Sequence, residues 1–67
     1  MIAVRVNGEE WRLPSGATVA DVVTRLTDAP RGIAVALDGG VVPRARWHGT
    51  QVTPGAQIEV LTAVQGG

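Results

Sequence analysis

A two-residue turn near the start of the chain does most to restrict what the chain can fold into. Apolar residues alternate with others along positions 2–6, which is typical of a strand with one buried face. Asn7-Gly8 follows directly and favours a tight hairpin, because both central residues of such a turn need positive φ. The turn sets a register of three facing pairs: Ile2 with Leu13, Val4 with Trp11, and Val6 with Glu9. We therefore predict an N-terminal β-hairpin with one mainly apolar face, on which Trp11 contributes to the core.

A short amphipathic helix is predicted after the hairpin. Thr18 is placed to cap its N-terminus, and Asp21 three residues later completes the pattern of a capping box. Apolar residues then recur with helical spacing at positions 19, 22, 23 and 26, which predicts one buried stripe. Pro30 and Gly32 end the segment.

The second half of the chain contains strand patterns separated by turns. Residues 33–37 form a continuous apolar run between turn residues, which predicts a strand covered on both faces. Residues 41–42 predict a short edge strand, because Pro43 cannot donate a hydrogen bond to a ladder. Residues 44–50 are predicted to be irregular or a single helical turn, and residues 57–62 to form the last strand.

This order of elements predicts an α+β fold of β-grasp type. One helix packs across a mixed sheet of four to five strands, and the first and last strands lie side by side in its middle. We expect residues 1–62 to form the domain and residues 63–67 to form a flexible tail. The tail, fully extended, reaches about 17 Å from the last strand.

Composition excludes several classes of function. The chain has 67 residues and no cysteine, so its small core has no disulfide to support it. Six arginines balance six carboxylates, which argues against nucleic acid or an anionic membrane as partner. No apolar run has the roughly 20 residues of a membrane span. The strand pattern begins at Ile2 and leaves no room for a signal peptide, so we expect a soluble cytoplasmic protein.

Few side chains offer chemistry of their own. His48 is the only histidine, no group of residues has metal-ligand spacing, and no pattern places a base beside Ser15. We expect His48 to be a solvated surface residue. The sequence therefore favours a binding module or a protein substrate over an enzyme.

The sequence ends in Gln65-Gly66-Gly67, and this segment is the candidate functional site. Glycine lets a backbone pass close to another surface, so such an end can enter a narrow channel and deliver the Gly67 carboxylate. A carboxylate must be activated before a nucleophile attacks it, commonly by adenylation with ATP, and this chain has no ATP-binding motif. The alternative is that the glycines are an incidental frayed end.

Short motifs follow one another in a distinctive order over nearly the whole chain: residues 4–8, 18–22 and 33–37, Val42-Pro43-Arg44 with Trp47, residues 58–64, and Gly66-Gly67. In this order the chain resembles the ThiS family of sulfur carrier proteins of thiamin biosynthesis, which have a ubiquitin-like β-grasp fold. Two positions depart from the family pattern: Ala56 stands where an aspartate is frequent, and Gln65 where a third glycine is frequent.

The resemblance implies a role for each tail residue. An E1-like adenylating enzyme activates Gly67 with ATP, a sulfur donor such as a cysteine desulfurase converts it to a thiocarboxylate, and thiazole synthase takes the sulfur. Gly66 then permits close passage, while Ala63, Val64 and Gln65 line the approach. The chain itself binds no cofactor.

Partner docking is predicted on the sheet face away from the helix. An apolar patch there would contain Val42, Pro43, Trp47 and Leu61, and Arg44 and Arg46 would flank it, because aromatic and arginine side chains are favoured at interfaces. Alternatively, the Trp47 side chain is buried and fills the end of the core.

Three other functions remain open at this point. The small subunit of molybdopterin synthase uses the same tail chemistry but is usually longer. A ubiquitin-like modifier would pass its activated glycine to a lysine. A plain β-grasp interaction domain would bind partners without using the tail.

Overall fold

The N-terminal hairpin forms as the sequence predicts. In the computed structural model, which describes residues 1–27 and 31–62, Asn7 and Gly8 have φ of 52° and 84°, as the predicted turn requires. All three predicted pairs are present in the register. The elements are β1 (Ile2–Val6), β2 (Glu9–Leu13), α1 (Val19–Leu26), β3 (Ile33–Leu37), β4 (Gly40–Val42), a 3₁₀-helix (Arg44–Gly49) and β5 (Gln57–Thr62).

The strands form one mixed sheet in the order β2-β1-β5-β3-β4. β1 and β5 are parallel neighbours, and the other pairs are antiparallel. This order confirms the predicted β-grasp topology, and β5 lies in the centre of the sheet. β4 lies at the edge, as Pro43 predicts.

The start of α1 also agrees with the sequence prediction. The amide of Asp21 donates to the Thr18 hydroxyl over 3.3 Å, and the amide of Thr18 donates to the Asp21 carboxylate over 2.9 Å. This reciprocal pair is the predicted capping box. The predicted apolar stripe is wrong at its last member, because Leu26 is 41% exposed. α1 ends at Leu26 and Thr27 already has extended backbone, so Leu26 lies at the margin of the core.

The core lies between α1 and one face of the sheet, the inner face. Its fully buried large side chains come from four strands and the helix: Val4, Val6, Leu13, Val19, Val22, Val35 and Ile58. Trp11 is half-buried and packs against this cluster, so it supports the core from its margin.

The opposite, outer face of the sheet is partly apolar and accessible. The prediction that β3 is covered on both faces is wrong: Val35 is buried, whereas Ala34 is exposed and Ala36 is half-buried. The apolar run arises because small alanines occupy the outward positions of a strand whose inward positions carry Ile33, Val35 and Leu37. Within residues 1–27 and 31–62, no helix is long and apolar enough to span a membrane.

Candidate functional site

β5 supplies the base from which the candidate tail begins. Ile58 and Val60 are buried in the inner face, and Thr62 is the last residue of the strand. A segment that follows Thr62 therefore starts from a central strand, which pairs with β1 at its beginning and with β3 up to Thr62 itself. The tail residues themselves lie outside the described residues, and their predicted roles stay predictions: Ala63, Val64, Gln65, Gly66 and Gly67.

Side chains from two turns bind the backbone of β5. The Asn7 side chain accepts from the Val60 amide over 2.8 Å and donates to the Val60 carbonyl over 3.2 Å. The Asp38 carboxylate accepts from the Gln57 amide over 2.9 Å, and the Asp38 amide donates to the Gln57 carbonyl over 2.7 Å. Asn7 belongs to the β1–β2 turn and Asp38 to the β3–β4 turn, so β5 is held at both edges.

Trp47 belongs to the core, in agreement with the second of its two interpretations. Its side chain is 5% exposed and lies in the same cluster as the buried residues of α1. Its indole nitrogen donates to the Val42 carbonyl over 2.9 Å, so the 3₁₀-helix is attached to the end of β4. The Arg44 guanidinium lies over the ring, 5.9 Å from its centre, within the range of a cation–π interaction.

The predicted grouping of docking residues into one patch is wrong. Val42 pairs with the buried Val35 and packs against the core, so its side chain lies on the inner face of the sheet. Trp47 lies in the core on that same side. Pro43 is exposed, as are the flanking residues Arg44 and Arg46. Leu61 lies on the outer face, since it alternates with the buried Val60.

The outer face nevertheless carries an exposed apolar surface, made of different residues. Leu61 is 66% exposed and pairs with Ala34. Val41 is 78% exposed and pairs with Ala36 on the other side of β3. We call these four residues the outer patch. Sequence reasoning missed Val41 and the alanines. The alternation of inward and outward side chains along β3 and β5 was the available signal, because it places the alanines on the same face as Leu61.

Side-chain chemistry in the described parts of the chain is sparse. Residues 1–27 and 31–62 contain no group of three histidine, cysteine or acidic residues that could hold a metal ion. His48 is exposed on the 3₁₀-helix, as predicted.

A mixed five-stranded sheet crossed by one helix, with parallel first and last strands at its centre, defines the chain as a β-grasp protein. The family model described as ThiS family matches residues 3–67, so the chain belongs to the ThiS family.

Structural comparison agrees with the family match. The chain is similar to the thiamine biosynthesis protein ThiS of Geobacter metallireducens, with 26% sequence identity and a TM-score of 0.80. The similarity covers 98% of this chain and 100% of that one. A comparison with curated proteins finds no match.

Proposed function

We propose that this chain is a cytoplasmic sulfur carrier of thiamin biosynthesis, and that the Gly67 carboxylate carries the sulfur. The observation that supports this most strongly is the family match, which extends through Gly66 and Gly67. In this proposal residues 1–62 are a folded body, and residues 63–67 are the tail that enters partner active sites. The chain is then a protein substrate and binds no cofactor of its own.

The proposed chemistry first activates the Gly67 carboxylate and then replaces the activated oxygen with sulfur. A Gly67 carboxylate oxygen attacks the α-phosphorus of ATP in an E1-like adenylating enzyme, which releases pyrophosphate and leaves an acyl adenylate. The outer sulfur of a cysteine persulfide on a donor such as a cysteine desulfurase then attacks the Gly67 carbonyl carbon and AMP leaves, which forms an acyl disulfide. A thiol reductant then attacks the donor's sulfur atom of that S–S bond, which leaves the thiocarboxylate on Gly67 and joins the donor cysteine to the thiol in a disulfide. Thiazole synthase finally takes the sulfur into its product.

The position of β5 suits this role. Effective catalysis requires the reacting atoms to be held in place, and the tail is short enough for its base to limit where Gly67 can go. β5 is central, and Ile58 and Val60 anchor it in the core. Such a strand is a firmer base for a reactive tail than an edge strand.

We propose that the adenylating enzyme docks on the outer patch. Exposed apolar side chains grouped on one face of a small domain frequently mark an interaction site. Glu59 pairs with Ala36 and adds one carboxylate to the same face. Leu61 lies one residue before the end of β5, so a partner that covers the outer patch also lies beside the start of the tail. Arg44 and Arg46 remain candidate contacts at a different surface, on the 3₁₀-helix.

Replacing Leu61 with arginine is expected to weaken docking without slowing the chemical step. Loss of one central apolar contact at an interface costs about 1–2 kcal/mol, so the KM for this chain in the adenylation reaction should rise roughly tenfold or more. Its kcat should stay near that of the unmodified protein, because the tail is unchanged. ATP–pyrophosphate exchange, measured over a range of carrier concentrations, separates the two constants.

Leu26→Arg provides the matched control, because it makes the same change at another exposed leucine, on the helix side of the sheet. The control should leave KM unchanged. Equal KM values for Leu61→Arg and the unmodified protein would contradict docking on the outer patch.

Deleting the gene tests the proposed function in the cell. Growth should then depend on supplied thiamin or its thiazole half, and the unmodified gene should restore independence. Loss of molybdenum-cofactor enzymes without a thiamin requirement would assign the chain to molybdopterin synthesis instead. Branched peptides that join Gly67 to lysines of other proteins would favour a protein modifier.

A further inference from the structure

Asn7 does more than form a turn. Its φ of 52° meets the need of the hairpin, but its side chain also contacts a strand 53 positions away in sequence. The backbone amide of Asn7 donates to the Ile58 carbonyl over 2.9 Å. This hydrogen bond follows directly after the pairing of β1 with β5 at Arg5 and Val6. The side-chain amide then binds both backbone groups of Val60 in the way a neighbouring strand would.

These contacts occur where the sheet no longer supplies a neighbour on that side. β1 pairs with β5 only through Arg5 and Val6, and the chain then reverses into β2. The Asn7 side chain therefore extends the support of β5 by two residues, from Ile58 to Val60. Without this side chain, the Val60 amide and carbonyl would lose their partners in a partly buried position, which is unfavourable.

The identity of the side chain fits this role. The first position of such a turn accepts Asn, Asp or Gly, because each tolerates positive φ. Val60 needs both a donor and an acceptor, and only asparagine of the three has both in its side chain. Asp38 occupies the equivalent position in the β3–β4 turn with φ of 50°, and there its carboxylate needs only to accept from Gln57.

We propose that Asn7 is a positioning residue for the reactions of Gly67. It fixes the last part of β5, and thus the point and direction from which residues 63–67 leave the body. The inference rests on the proposed function, since it concerns the delivery of a reactive tail. In this proposal Asn7 acts through Val60, whose amide and carbonyl its side chain binds.

Asn7→Gly tests the proposal, with Asp38→Gly as its matched control. Both changes keep a residue that tolerates positive φ and remove one side chain that binds β5. Each variant should speed hydrogen exchange at its own partner amide, Val60 or Gln57. Only Asn7→Gly should lower kcat for ATP–pyrophosphate exchange, by about tenfold with KM nearly unchanged. The body of this variant docks normally, but its displaced tail holds the Gly67 carboxylate in the wrong position for reaction.

Asn7→Asp is a second variant, which keeps the turn and the oxygen that accepts from the Val60 amide but lacks the donor to the Val60 carbonyl. Its kcat should lie between those of the unmodified protein and Asn7→Gly. An unchanged kcat in Asn7→Gly, or an equal loss in Asp38→Gly, would overturn the positioning role. Failure of the unmodified protein to support exchange would instead contradict the proposed function itself.

Discussion

Adding one alanine after Gly67 is expected to abolish adenylation. Under the proposed chemistry, the new terminal carboxylate lies one residue beyond the place where the adenylating enzyme holds the α-phosphate of ATP, and the Gly67 carbonyl becomes an unreactive amide. Misplacement of a reacting group on this scale lowers rates by about 100-fold or more. ATP–pyrophosphate exchange with the adenylating enzyme measures the loss.

An alanine added before Met1 is the control of equal size. Met1 is 80% exposed, and the addition should leave the exchange rate unchanged. The extended C-terminal variant should still compete with the unmodified protein for the enzyme, because its body is the same. Exchange at the normal rate after the C-terminal addition would contradict the tail as the reactive group.

Trp47→Ala is expected to unfold most of the protein. Removing a buried tryptophan costs about 3–5 kcal/mol, and a domain of this size rarely has more than a few kcal/mol of stability in total. The ring fills space beside α1, and its nitrogen holds the end of β4 at Val42. Urea denaturation followed by circular dichroism measures the free energy of unfolding.

Trp47→Phe separates packing from hydrogen bonding at the same position. It retains an aromatic ring and loses the donor to Val42, so its cost should be about 1–3 kcal/mol and the fold should survive. A Trp47→Ala protein with normal stability and impaired partner binding would contradict the core assignment and restore the docking interpretation.

Local sequence signals predicted the parts of the fold that depend on neighbouring residues. The turn at Asn7-Gly8 sets the register of its hairpin, and the cap at Thr18 needs only Asp21 three residues away. Both follow from backbone preferences and short-range hydrogen bonds, which a sequence states directly. The order of elements then left the β-grasp topology as the natural arrangement.

Contacts between residues distant in sequence could not be predicted from such local signals. Whether Trp47 points to the core or to a partner depends on how the 3₁₀-helix lies against α1, and no local pattern fixes that. The inward position of Val42 follows from its pairing with Val35, which the edge-strand pattern alone does not set. The second role of Asn7 likewise requires Val60 to lie beside it.

Labelled sulfur, followed to the last residue, shows whether Gly67 is the group that carries it. The only sulfur-containing side chain is that of Met1, and trypsin cleavage after Arg46 releases a peptide of residues 47–67 without methionine or cysteine. After incubation with ATP, the adenylating enzyme and a sulfur donor that carries heavy sulfur, we expect the label in this peptide, with fragmentation placing it at Gly67. A peptide that stays free of sulfur while the partners are active would contradict the account.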